Sequence, residues 1–436
     1  MNERDEGAFL DPARMQAVLK SRLTRRGFMK GAGTGAAAIG LGSLLAACGG
    51  GGGGTGNGGG KTGWDIKQIY SGQAGDTVNF ANWPLYIDYA KDKSGTRYIP
   101  SLKKFKDETG ITVTFAEVIQ GNPDFFGKLQ PQLSAGQDTG WDIIVITNGT
   151  QFTALVANDW VYPLDPARHP NFDQNAAPWA KNPSYDPNNE HSLPWQSGLT
   201  GIGVNSKLVN GPITKMDDMA NPDKVGKARV GMLTEDMPNF VMINLGIDPI
   251  TSGPAEWKEA AAWLLKQRDA GVIRQYYDQG YIDDMTGGNL SAFMAWSGDV
   301  LYYALWAGYD NLSFVFPEGG ALHWNDNMMI PAHAANPVGA MEVMDFYYRP
   351  DIATMVTEWV LYMSPVPKTQ DLILADAKKA EAQNYKGYAN KLYQTAKSPY
   401  LYPSAEFLAK TSYGRNLTTD AERQEWDAIF LPISQG

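Results

Sequence analysis

The sequence predicts an α/β fold, and two stretches carry the prediction. Between Val78 and Ile146 a short strand, an amphipathic helix, an alternating strand and a continuous apolar strand follow one another, and between Thr200 and Trp296 the rhythm returns. Strands separated by helical patterns form crossover units that lie parallel in a sheet, and open sheets of this kind take ligands beyond the carboxyl ends of their strands.

Each element has a local cause. Val78-Asn79-Phe80 reads as a strand leading into Asn82-Trp83. Ile99 to Thr109 reads as an amphipathic helix, with Leu102 and Phe105 three apart on one face and Gly110 as its stop. Ile111 to Phe115 alternates like a half-buried strand, and Trp141 to Ile146 is a continuous apolar run suited to a central parallel strand. Trp83 and Thr147 then fall at the ligand edge. In the second stretch Thr200 to Asn205, with glycines at 201 and 203, reads as a strand that neighbouring groups approach closely. Val230 to Leu233 is a strand ending at Thr234-Glu235-Asp236, and Ala292 to Trp296 is another ending at Ser297-Gly298-Asp299. Pro254 opens a helix through Trp257, Ala261, Leu264 and Leu265 that Gly271 closes, and Asn336-Pro337 starts a last helix through Met341 and Met344.

Ahead of these elements stands an export pattern. Arg25-Arg26 and the apolar stretch ending in Leu45-Ala46-Ala47-Cys48 match a twin-arginine signal with a bacterial lipoprotein cleavage box. Residues 1–47 are expected to be removed as a signal peptide, leaving Cys48 as the lipidated first residue. The apolar stretch is glycine-rich and shorter than the roughly 20 strongly apolar residues that a span requires. Residues 48–62 then form the lipidated cysteine and a Gly-rich tether, and about 12 such residues have a root-mean-square span of roughly 20 Å. The protein is expected outside the cytoplasm, held to the membrane through its lipid alone.

Composition narrows the function. Of 436 residues, 43% are hydrophobic and 19% charged, which marks a globular chain with room for two domains. A formal charge of −10 argues against a nucleic-acid partner. The single cysteine leaves no disulfide or thiolate metal site, and His169, His191, His323 and His333 show no ligand spacing. No G-x-S-x-G, H-E-x-x-H or C-x-x-C occurs, so no catalytic residue, metal or cofactor is expected. His191 and His323 read as ordinary polar surface. Of thirteen Trp and 21 Tyr most are expected in the core or on the lobe surface, and an exported acidic domain can use some of them to hold an organic cation by cation–π contact.

Several phrases in order resemble one family: Asn79-Phe80-Ala81-Asn82-Trp83, Phe105 to Ile111, Trp141 to Val145, Leu193-Pro194-Trp195, Gly201 to Asn205 and Pro317-Glu318-Gly319-Gly320. Over about Thr77 to Pro367 the chain is similar to the spermidine/putrescine-binding proteins of bacterial ABC importers. The resemblance implies a two-lobed, periplasmic-binding-protein-like fold of type II with a ligand cleft between lobes. Residues 63–200 and 325–364 would form lobe 1, and residues 201–324 and 365–436 lobe 2. It further implies that Trp83, Tyr86 and Thr147 contact the ligand from the first lobe, Asp236, Trp296 and Asp299 from the second, and Trp324 and Asp326 where the chain crosses back. Partners would be a polyamine, a membrane permease and its ATPase, with the receptor a monomer. Three positions depart from the family: Asn239 stands where a spermidine-preferring relative has glutamate, Ser364 where tyrosine is common, and Gly149 where an aromatic is found.

The chemistry is coherent on its own terms. A polyamine is an alkyl rod with positive ends, so its site requires apolar walls and a carboxylate at each end. Other readings stay open at this point. Asp236 and Asp299 follow strands, where aspartate is commonly a helix cap. Trp83 and Trp324 can be plain core, although each has an Asn or Asp beside it that a core strand would avoid. Tyr86 suits a half-exposed position as well as a site. The same fold can also hold another amine, an amino acid or a cationic metabolite, serve a sensory lipoprotein, or carry an exported enzyme.

Overall fold

The computed structural model describes residues 63–92, 94–278 and 280–435; the expected signal peptide, Cys48 and the whole tether lie outside the described residues. Among the described residues ten strands join in one sheet. They are β1 (Thr77–Asn82), β2 (Thr112–Glu117), β3 (Ile143–Thr147), β4 (Leu193–Asn205), β5 (Val230–Leu233), β6 (Ile273–Tyr277), β7 (Ala292–Trp296), β8 (Leu312–Val315), β9 (Ala321–Met329) and β10 (Thr411–Ser412). The order β2-β1-β3-β9-β4-β7-β5-β6 contains the same parallel triplet twice, β2-β1-β3 and β6-β5-β7, on either side of the antiparallel pair β9 and β4.

Each expected element forms where its residues dictate. The helix Pro100–Thr109 starts with Pro, buries Leu102 and Phe105, and ends at Gly110 with φ +82°. This left-handed turn favours glycine and delivers the chain into β2. β4 is buried along its whole length, and its glycines matter sterically. A Cβ on Gly201 would stand 2.5 Å from the Phe314 ring, and one on Gly203 2.2 Å from the Phe293 ring.

Two apolar cores sit on the two halves of the sheet. The first joins residues of the 70–195 region to residues of 328–366. The second draws on Leu199 to Ala321, with Leu417, Phe430 and Ile433 from the C-terminal end. The chain passes between the halves at three adjacent places: within β4, within β9, and at Tyr362-Met363, where Met363 and Ser197 exchange backbone hydrogen bonds of 2.8 and 3.0 Å.

One expectation fails here. The helix Pro337–Phe346 is not the last, since Pro350–Val360, Thr369–Ala382, Lys386–Lys397 and Asp420–Gln435 follow it. Thr369–Ala382 buries Ala377 and Ala380 beside Ile373, so its apolar stripe is faint in the sequence.

Candidate functional site

Between the two halves lies a cavity of about 670 Å³, and all eight residues singled out from the sequence line it. The parallel triplets explain the convergence. β1, β3, β5 and β7 end at Asn82, Thr147, Leu233 and Trp296, so Trp83, Thr147, Asp236 and Trp296 are delivered from strand ends. β9 supplies Trp324 and Asp326 from between them.

Asp326 is 6% exposed and bound on both oxygens, accepting from the Tyr86 hydroxyl at 2.8 Å and the Thr147 hydroxyl at 2.6 Å. Tyr86 reaches it from a strained turn. Leu85 has φ +59°, a conformation a branched side chain rarely adopts, and its N–H donates to Glu117 at 2.6 Å. The Asn122 amide donates to Thr147 Oγ1 at 3.0 Å and accepts from the Thr147 N–H at 3.1 Å, which fixes that hydroxyl.

Asp236 is the residue before the helix Met237–Asn244, yet its side chain makes no capping bond. Instead it accepts from Thr200 Oγ1 at 2.6 Å and from the Trp296 indole N–H at 2.9 Å. The same Thr200 hydroxyl accepts the Trp324 indole N–H at 3.1 Å, so two ring planes and one acid share a network. Asp299 accepts from the Tyr281 hydroxyl at 2.8 Å and is also bound by Tyr362. The Tyr362 ring meets Tyr86 edge-on at 5.3 Å and lies 5.5 Å from Trp324. An aromatic wall thus runs between Asp326 and Asp299. Two glycines admit it: a Cβ on Gly198 would stand 2.4 Å from the Trp324 ring, and one on Gly298 2.5 Å from Tyr362.

Seven carboxylates and two arginines line the cavity, a net of five negative charges. Both arginines are engaged, Arg415 with Glu422 and Arg423 with Asp420. Burial pushes the Asp326 carboxyl up to about 6, against the two hydroxyl bonds that favour its charged form, and Asp236 adds to the rise. Burial likewise raises Asp236. Glu235 still meets solvent in the cleft, and enclosure by the cleft walls, then the Asp236 and Asp278 charges, push its carboxyl up. A cation entering such a site displaces protons. Its affinity should therefore rise with pH and level off above about 7, being about tenfold weaker at pH 5 than at pH 8 through Asp326 alone. Calorimetry in buffers of different ionisation heat reads the released protons directly, and an affinity flat from pH 5 to 8 would contradict this electrostatic account.

Sequence reasoning missed several cleft residues. Tyr362 stands two residues before Ser364, delivered by Leu361 in the left-handed conformation at the end of the helix Pro350–Val360. Glu235, the neighbour of Asp236, faces the cleft, and Arg415, Leu417 and Trp426 line it from the C-terminal region that contributed no site residue above. His323 is not surface: it is 6% exposed, hydrogen-bonded to Ser197 at 2.8 Å, and burial lowers its pKa to about 4. Its place between β4 and β10 in the sheet, fixed by long-range pairing, explains the miss.

Residues 101–390 match the family model described as bacterial extracellular solute-binding protein. The chain belongs to this family. The spermidine/putrescine-binding periplasmic protein of Salmonella typhimurium is 29% identical over 336 residues, covering 73% of this chain and 90% of that relative. The putrescine-binding periplasmic protein SpuD of Pseudomonas aeruginosa is 30% identical over 310 residues, covering 66% and 79%. The structure of the spermidine/putrescine ABC transporter substrate-binding protein PotD from Streptococcus pneumoniae superposes with a TM-score of 0.66 at 21% identity, covering 83% of this chain and 99% of that one. That likeness shows the fold of a two-lobed solute-binding protein, and the two halves described above are its lobes. Members of the family are transport receptors, not enzymes. Among the described residues of this member, no helix is long and apolar enough to cross a membrane.

Proposed function

We propose that this protein is the substrate-binding receptor of an ABC importer, capturing a linear polyamine in the interlobe cleft and delivering it to the permease. The observation that carries the reading is the placement of two separate acids, the buried Asp326 and the half-buried Asp299, across one wall of Tyr86, Tyr362 and Trp324. The alkyl rod would lie on the rings while each ammonium meets an acid, every ring contact contributing about 0.5–2 kcal/mol. Trp83, Thr147, Asp236 and Trp296 complete the site in this reading. The names of the relatives point to the same ligand class.

A diamine is favoured over a triamine. Asn239, where a glutamate would meet a secondary amine, is neutral, and its carbonyl oxygen accepts the Arg415 backbone N–H at 2.8 Å. Thermal unfolding of the purified, ligand-stripped protein against putrescine, cadaverine, spermidine, spermine and amino acids tests the reading. At about a thousand times its Kd, a ligand adds roughly 4 kcal/mol of stability. A large shift with putrescine is expected, a smaller one with spermidine, and none with neutral amino acids. No shift with any polyamine would redirect the assignment to another small amine or cationic metabolite.

The export reading belongs to the same proposal. The receptor would be anchored outside the cytoplasm through a lipid on Cys48, reached by the twin-arginine route, with residues 49–62 as tether. Cys48→Ala removes the acceptor thiol and should move the protein from the membrane fraction to the soluble one. Continued membrane association of that variant would count against the anchor.

A further inference from the structure

The C-terminal segment 411–417 lies beyond the residues matched by the family model and forms a fourth link between the lobes. It is rooted in the second lobe at both ends. Thr411–Ser412 pair with Ala321–Leu322 of β9, while Leu417 is buried in the second core with Phe430 and Ile433 of the final helix. Arg415 strengthens the root by donating its backbone N–H to Asn239 at 2.8 Å and pairing with Glu422 at 2.6 Å.

Its contacts with the first lobe are of another kind. The Tyr413 ring stacks on His323 at 4.9 Å, near the lobe crossing, and meets the first-lobe Tyr185 edge-on at 5.5 Å. The Leu417 N–H donates to Thr150 Oγ1 at 3.4 Å, at the start of a first-lobe helix. The Tyr413 hydroxyl also accepts from the Asn325 side-chain amide at 3.2 Å. Neither Tyr413 nor Thr150 belongs to an apolar core. These contacts can break and reform without disturbing either core, whereas β4, β9 and Tyr362-Met363 are continuous chain.

We propose that residues 411–417 are a latch, carried by the second lobe, that clasps Tyr185 and Thr150 when the cleft is closed and slows its opening. Lobes that separate about the crossings pull the latch off the first lobe, so its contacts exist only in the closed form and favour it. Ligand release is then governed by unlatching as well as by the acids and rings of the cleft. This inference rests on the reading of the cleft as a site that opens and closes around its ligand.

Two variants test it. Thr150→Val keeps the shape of the helix start and removes the acceptor, and Tyr413→Leu removes the ring contacts. Dissociation of putrescine, followed by stopped flow with excess competitor, should quicken by about two- to tenfold in each, the range of one or two net hydrogen bonds. Lobe separation is read independently of any ligand by energy transfer between dyes at Lys103→Cys and Lys258→Cys in a Cys48→Ser chain. Ligand-free variants should populate longer distances than the parent. Variants with the parent's distance distribution would overturn the latch whether or not putrescine binds. A parent that binds no polyamine, but opens further when Thr150 or Tyr413 is altered, would retain the latch and remove the polyamine reading.

Discussion

Asp326→Asn should abolish useful capture of a diamine while leaving a protein that is folded and more stable without ligand. Asp326 is buried, and both of its oxygens are occupied by hydroxyl donors, so the charge is held in place before any ligand arrives. Removing one partner of a buried, hydrogen-bonded charge pair costs about 2–5 kcal/mol, which corresponds to binding weakened by roughly 30-fold to several thousandfold. Stability of the ligand-free protein moves the other way. Burial raises this carboxyl to about 6, above its value in the unfolded chain, so the native state holds the proton more tightly. The penalty for the charged form is absent below about pH 4, grows as pH rises through 6, and is complete above it. The asparagine variant should therefore unfold at a higher temperature than the parent at pH 7.5, by a margin on the order of 2 kcal/mol, and the margin should vanish at pH 4. Asp299→Asn tests the other end of the rod. Diamine affinity that survives both substitutions would end the two-ended model.

Gly198→Ala is expected to damage the site through a single methyl group. A Cβ there would lie 2.4 Å from two atoms of the Trp324 ring and 3.0 Å from Tyr362, both part of the cleft wall. Trp324 cannot yield freely, because its indole N–H is bound to Thr200, which in turn holds Asp236. Overpacking of this kind costs typically 1–3 kcal/mol, and here the displaced group is a proposed ligand wall, so affinity and stability should fall together. Gly127→Ala is the control, since that helical glycine has open space around a built Cβ and should gain a few tenths of a kcal/mol or more from helix propensity. Isothermal titration and thermal unfolding read both variants. Equal binding by Gly198→Ala and the parent would mean that Trp324 takes no part in the site.

What was legible from the sequence follows from where information is local. The parallel strands are short apolar runs with turn residues at their ends, and cleft-lining groups sit just beyond them, so Trp83 and Thr147 could be placed at the cleft edge from neighbours alone, whereas Asp236, Trp296 and Asp299 could be seen to follow strands but were read as site residues only through the family resemblance. Trp324 and Asp326 required the family resemblance, because β9 is antiparallel and its role depends on strands far away in sequence. Tyr362 and His323 were out of reach for the same reason. One is delivered by a left-handed residue after a helix, and the other is buried by pairing between segments more than a hundred residues apart. The question of whether Asp236 is a cap or a cleft acid required a side-chain partner, and Thr200 and Trp296 answer it.

The interleaving of the two cores has a consequence for biosynthesis. The first core combines the 70–195 region with 328–366, and the second needs Leu417, Phe430 and Ile433 near the chain end. A ribosome therefore completes nearly the whole polypeptide before either lobe has all its parts, and the apolar faces of β1 to β3 must wait for Met328 to Val366 to cover them. Such long-range closure is slow and exposes sticky intermediates. The twin-arginine route proposed above would suit this wiring, because its cargo would finish folding in the cytoplasm before it crosses the membrane.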